Sequence, residues 1–287
     1  MKGVYTAGVL DFFTEKGIDF SHIYGVSAGA CHMCSYLSRQ KGRALSVSVD
    51  YLDTRRYCSL ESLLTSGDLF NVDFCYHLIP EYLYPYDYET FEKYPFHFEL
   101  EITHRLKGRT IETSWKVTNL NGKEMLFMIG GHPAFQVPEG KTIYDYTLVF
   151  NKEGVNAGQY QDSLHYQAPD AEGYEDNALQ GDLKLTEGKV PVTPGFFDTA
   201  LTYMFDNKQI SSIGLLTDGK PYVTVLCDGF PFVGVWTMEK THPFVCLEPW
   251  YGVCDSKDFN GELKDRQGIQ KLKAWESWEK GYRIRIE

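Results

Sequence analysis

The chain has 287 residues, 43% of them hydrophobic and 23% charged, enough for one large globular domain or two small ones. This excludes a disordered, collagen-like or coiled-coil chain, and no apolar run reaches the length of a membrane-spanning helix. A net charge of −11 without Lys/Arg blocks argues against nucleic acid and anionic membrane as partners.

Residues 1–94 read as mixed α/β. Val4, Ala7, Val9, Leu10, Phe12 and Phe13 fall on helical spacing, predicting a helix over 3–16 that stops at Gly17. A short apolar run, Ile23 to Val26, is followed by a second helix from Ser27 to Arg39. Residues 42–52 and 59–64 are further helix candidates. From Pro95 the period changes to two. Residues 96–102 and 110–117 alternate, and 144–150, 222–226, 232–236 and 282–286 are strand candidates. Asn121-Gly122 and Asp218-Gly219 read as hairpin turns. Many short strands without a long amphipathic helix predict a sandwich or barrel, and the chain as a whole is expected to be mainly β. The division falls at 94/95, giving domains 1–94 and 95–287.

The seven cysteines are an odd number with no secretory leader before them, which predicts buried free thiols in a cytoplasmic protein. Cys31 and Cys34 have C-x-x-C spacing, but Cys58 and Cys75 supply no second doublet for zinc. The plainer reading is small residues on a packed helix. Neither a metal nor a cofactor is expected.

Gly25-Val26-Ser27-Ala28-Gly29 is G-x-S-x-G between an apolar run and a helix, the setting of a nucleophile elbow. The glycines permit the tight turn, and the helix N-terminus points free N–H groups at a developing oxyanion. With Met1 to Leu10 and Ser59 to Phe70, this stretch resembles the front of patatin-like phospholipases. The resemblance implies a lipid or ester substrate, a Ser–Asp dyad and Ser27 as nucleophile. It also implies a first strand and a glycine-rich loop, of which this sequence carries only Lys2-Gly3. Asp218-Gly219 and Asp228-Gly229 lie in the other half and read as turns, so no base for Ser27 is assigned and ester hydrolysis is expected to be weak.

Gly130-Gly131-His132-Pro133 holds a histidine in a tight backbone setting. Phe244 to Gly252 places the single carboxylate of Glu248 among Phe, Leu, Trp and Tyr, where burial is costly without a partner. A carboxylate base beside a histidine acid is a proton-transfer pair. Together with Gly229 to Trp236, these motifs resemble the aldose 1-epimerase (galactose mutarotase) family over about residues 94–287. The resemblance implies an antiparallel β-supersandwich that interconverts anomers of a free aldose. His132 would be the acid, Glu248 the base and Asp198 a substrate-binding aspartate. Trp236, Trp250 and Tyr251 are candidates to stack on a sugar. The family's N-terminal strands, with an arginine and a histidine of the sugar site, have no counterpart in this sequence, so the sandwich is expected to be truncated. His97 and His104 read as strand residues. The chain therefore looks like a fusion of two partial domains, a patatin-like α/β fragment and a truncated sandwich. Three functions stay open: a mutarotase acting on a small-molecule aldose, ranked first; a serine lipid acyl hydrolase using Ser27; and a non-catalytic sugar-binding or inert fusion.

Overall fold

A change of hydrophobic period along one chain should produce two kinds of structure, and it does. The structure, a computed structural model, describes residues 2–20, 28–51, 54–55, 71, 73–93, 98–160, 162–168, 179–198, 202–237, 244–255 and 259–287. Met1–His97 and Phe98–Glu287 form separate compact units.

The described part of the first unit is helical: α1 (Lys2–Lys16), α2 (Ala28–Leu37), α3 (Arg43–Val49), α4 (Phe74–Leu83) and α5 (Tyr88–Glu92). Gly17 ends α1 as predicted, with φ +61 in the left-handed region that favours glycine. Aromatic contacts tie the end of α1 to α2: Phe13 meets Phe20 edge-on at 5.0 Å, and Phe20 reaches Tyr36. Arg43 fixes the C-terminal end of α4 by donating twice to the Tyr84 carbonyl. α4 is π-helical and contains Pro80, which lacks the N–H that an α-helical ladder would use. The predicted strand at 23–26 and helix at 59–64 lie outside the described residues.

The second unit carries β1 (Phe98–Lys107), β2 (Thr110–Asn119), β3 (Met125–Phe127), β4 (Ile129–Gly130), β5 (Ala134–Gln136), β6 (Tyr146–Phe150), β7 (Ser163–Ala168), β8 (Leu179–Lys184), β9 (Lys189–Pro191), β10 (Thr202–Phe205), β11 (Ser212–Thr217), β12 (Lys220–Leu226), β13 (Phe232–Trp236), β14 (Phe244–Tyr251), β15 (Gln270–Leu272) and β16 (Ser277–Ile286). One antiparallel sheet runs β1-β2-β16-β12-β11-β6-β9. A second runs β4-β14-β13-β10-β7-β8, with β5 also on β14. β3 and β15 make a separate pair.

The core lies between the two large sheets and follows the period of two. Leu148, Ile213, Leu215, Val223 and Val225 from the first sheet share one cluster with Phe205, Val233, Val235, Val245 and Leu247 from the second. Full burial of each such side chain contributes about 1.5–3 kcal/mol. The alternate residues of the second sheet, including Cys246, Glu248, Trp250 and Trp236, therefore stand on its other face.

Asp218-Gly219 is the expected hairpin, with φ +53 and +71, the two positive values that a type I′ turn requires. Asn121-Gly122 is not a hairpin. β2 pairs with β1 and β16, and the chain after Asn121 leaves the sheet to form β3. Asn119 is the reason: its buried amide donates to the carbonyls of Lys123, Leu272 and Lys273 and pins this turn to the end of β15. The buried-thiol expectation also needs correction. Cys227 and Cys246 are buried, but Cys31, Cys34 and Cys254 are exposed. His104 lies in β1 as read, and His97 is outside the described residues.

Candidate functional site

The site begins with two prolines. β4 and β5 both pair with β14: Gly130 lies opposite Trp250, and Ala134 opposite Cys246. Carrying this register across the gap sets Gly131 opposite Pro249, His132 opposite Glu248, and Pro133 opposite Leu247. The Gly131 N–H donates to the Pro249 carbonyl at 2.9 Å, and the Leu247 N–H to the Pro133 carbonyl at 3.2 Å. Neither proline can return a bond, so each of these pairs keeps one ladder bond where two would form. Between them, His132 and Glu248 occupy a non-hydrogen-bonded position, the arrangement that brings opposite side chains closest. His132 Nδ1 lies 3.1 Å from Glu248 Oε1.

The two groups differ in access. The His132 side chain is 59% exposed and the Glu248 side chain 7%. A buried carboxylate needs partners, and among the described residues Glu248 has two. His132 meets one oxygen, and the Trp250 indole Nε1 donates to the other at 3.2 Å. The hydrogen bond to Glu248, assisted by its charge, raises the His132 pKa against the opposing effect of burial. Trp236 meets the His132 ring edge-on at 5.3 Å.

Trp250 is held by what its neighbours lack. Gly234 lies opposite Glu248 on β13, and a Cβ there would fall 2.4 Å from the indole rim. A Cβ on Gly130 would fall 2.5 Å from the same indole. The ring thus lies across glycines of both neighbouring strands. Its visible role here is to hold the carboxylate.

Cys246 stands on the same face, two residues before Glu248. Its thiol is pushed up to about 12, mainly by burial and further by the Glu248 charge. Donor atoms of His132, Cys246 and Glu248 lie within 4.8 Å of one another, residue types that zinc can use. Within this set His132 and Glu248 already meet as a proton-transfer pair.

Of the residues singled out from sequence, His132, Glu248, Trp236 and Trp250 come together. Tyr251 points into the core, against Phe230 and Trp278. Asp198 is exposed and ends a turn in which its N–H donates to Gly195, four residues before Thr202, which lies opposite Trp236. Ser27 lies outside the described residues. Asp228-Gly229 is a turn between β12 and β13 whose carboxylate accepts from the Val155 N–H, and Asp218 pairs with Lys141. Sequence reasoning missed Cys246 and Gly234. The latter had a signal, an isolated glycine in a strand, which marks close approach of another group.

Similarity to known proteins falls on both units. The family model for patatin-like phospholipases matches residues 1–165, past Phe98 and as far as β7. The LacX proteins of Lactococcus lactis subsp. lactis, chromosomal and plasmid, are each 30% identical over 205 residues, which is 69% of this chain and 65% of theirs. The chain thus spans just under two thirds of these relatives' length. A galactose mutarotase related enzyme from Lactobacillus acidophilus is similar in structure, with 25% identity, TM-score 0.58, and coverage of 70% of this chain and 65% of that one. A galactose mutarotase-like protein from Lactobacillus casei has the same fold, with 22% identity, TM-score 0.55, and coverage of 70% and 67%. With the family model matched over more than half of its residues, the chain belongs to the patatin-like phospholipase family, and its β-rich part has the galactose mutarotase-like sandwich fold.

Proposed function

We propose that the Phe98–Glu287 unit interconverts the anomers of a free aldose by acid–base catalysis. The observation that carries this reading is the contact of an accessible histidine with a buried carboxylate on the face of a mutarotase-like sheet turned away from the core. Glu248 takes the proton from the anomeric hydroxyl. The C1–O5 bond breaks, its electron pair goes to O5, and O5 takes the proton of His132. A C1 carbonyl results. Rotation about C1–C2 turns its other face to O5, and the two proton transfers reverse as the ring recloses. No redox step and no net proton change are involved. The raised His132 pKa keeps the donor charged nearer neutrality, and Trp250 keeps the base in place. Asp198, Trp236 and Trp250 are assigned as sugar-binding residues in this reading.

Polarimetry of fresh α-galactose with the full chain tests the proposal. A rate equal to buffer overturns it and leaves sugar binding without turnover, or an inert fusion, as the reading of this unit. The pH profile is a further prediction. The folded His132 pKa lies above its ordinary value of about 6.5. The rate should therefore hold through that value and fall only as pH rises through the raised one. His132→Asn should abolish this alkaline limb. An alkaline limb unchanged in His132→Asn would assign it to another group. The stability linkage has the same sign: the His132–Glu248 contribution is complete below the unfolded value and is lost as pH rises through the folded one.

A second reading is favoured by the family match over residues 1–165: a serine lipid acyl hydrolase with Ser27 as nucleophile. Release of p-nitrophenol from a short-chain ester, lost in Ser27→Ala, would support it. Release that persists in Ser27→Ala would overturn it.

A further inference from the structure

β1 is the end strand of its sheet, and among the described residues nothing pairs with its other edge. All its residues are exposed except Thr103, which is half-buried. One face of β1 carries Phe98, Leu100, Ile102, His104 and Leu106, the four apolar residues at 57%, 44%, 52% and 75% exposure. Ile102 lies opposite Trp115 and Leu100 opposite Val117, so this face continues the core side of the sheet. Ten residues of exposed edge with an apolar face are an adhesive surface unless something covers them.

The charges on the opposite face say what covers it. Glu279, Lys116 and Glu101 lie side by side on β16, β2 and β1, and so do Arg283, Glu112 and Arg105. Each row alternates in sign from strand to strand and stops at β1 with a charge that, among the described residues, has no neighbour beyond it. Along β1 the signs are antisymmetric about Thr103: Glu99 and Glu101 precede it, Arg105 and Lys107 follow it. An antiparallel second β1 centred on Thr103 would set Glu101 against Arg105 of the second copy and Glu99 against its Lys107, each pair occurring twice. Both rows then continue across the junction in alternating sign. On the other face, Leu100 meets Leu106 of the second copy and Ile102 meets its His104.

We propose that the chain forms a two-fold dimer by antiparallel pairing of β1 with β1 of a second copy, joining the two sheets edge to edge. A strand whose charge pattern is complementary to its own reversal fits a self-complementary interface, which a two-fold axis requires. This inference does not depend on the catalytic reading.

The test uses charge reversal in the full chain, read by sedimentation. The wild type should be a dimer. Glu101→Arg alone turns two attractive pairs into two repulsive ones, and so does Arg105→Glu alone. Each should weaken dimerisation by about tenfold to several hundredfold. The Glu101→Arg variant is complementary to the Arg105→Glu variant at every such pair. An equimolar mixture should therefore form heterodimers, which also shows that each variant is folded. A monomeric wild type, single variants that dimerise like wild type, or a mixture that stays monomeric would each overturn the proposal.

Discussion

Glu248→Gln should slow mutarotation by about 10²–10⁴-fold, the range that a positioned general base contributes. The amide keeps the shape of the carboxylate but cannot take the anomeric proton. One of its two terminal positions would also present an N–H to either His132 or Trp250, each of which now meets a carboxylate oxygen. His132→Asn should cost a similar factor by removing the proton donor. The two losses should combine less than additively, since each group is of little use without the other. Polarimetry on folded wild type and variants measures all three rates. A wild type that accelerates mutarotation, beside an equally fast Glu248→Gln, would remove Glu248 from the mechanism.

The period-two runs were legible because each strand has one face on the core and one away from it. Thr110 to Val117 is the clearest case: the alternating run falls inside β2, where Thr113, Trp115 and Val117 are buried and Ser114 and Lys116 are not. The turn at Asn121 was not legible, because its outcome depends on the Asn119 amide meeting backbone more than a hundred residues away. The Gly108-Arg109 turn between β1 and β2 also went unremarked. Its φ of +60 at Gly108 fits a type II′ hairpin, for which a lone glycine is a weak signal. His132 and Glu248 were found through the motifs around them. Their pairing is a property of register, and register needs both strands. What the sequence could not convey is the role of the prolines, each of which removes a donor from the ladder beside the pair. Trp250 was read as a sugar platform because it is an aromatic beside a carboxylate. Its hydrogen bond to Glu248 depends on ring orientation, which the glycines of two other strands decide.

That dependence gives the second large effect. Gly234→Val should lower stability by about 1–3 kcal/mol, the usual cost of forcing atoms into a packed site. Its Cβ would sit 2.4 Å from one carbon of the Trp250 ring and 2.6 Å from the next, so the indole must move. Once moved, it no longer donates to Glu248, and a buried carboxylate loses one of its two partners. A hydrogen bond to a charged group is worth about 1.5–3 kcal/mol, so a fall in kcat of about tenfold or more should accompany the loss of stability. Trp250→Phe deletes the Nε1–H without the clash at Gly234, so a loss of kcat in it is traced to the hydrogen bond. It should also lose about 1–3 kcal/mol of stability, because a buried Glu248 oxygen is left without its partner. If both variants unfold earlier but turn over at the wild-type rate, the indole only fills space and the carboxylate is oriented by His132 alone. If Trp250→Phe raises KM and leaves kcat unchanged, the ring serves only as a sugar platform, and its bond to Glu248 is incidental to the chemistry.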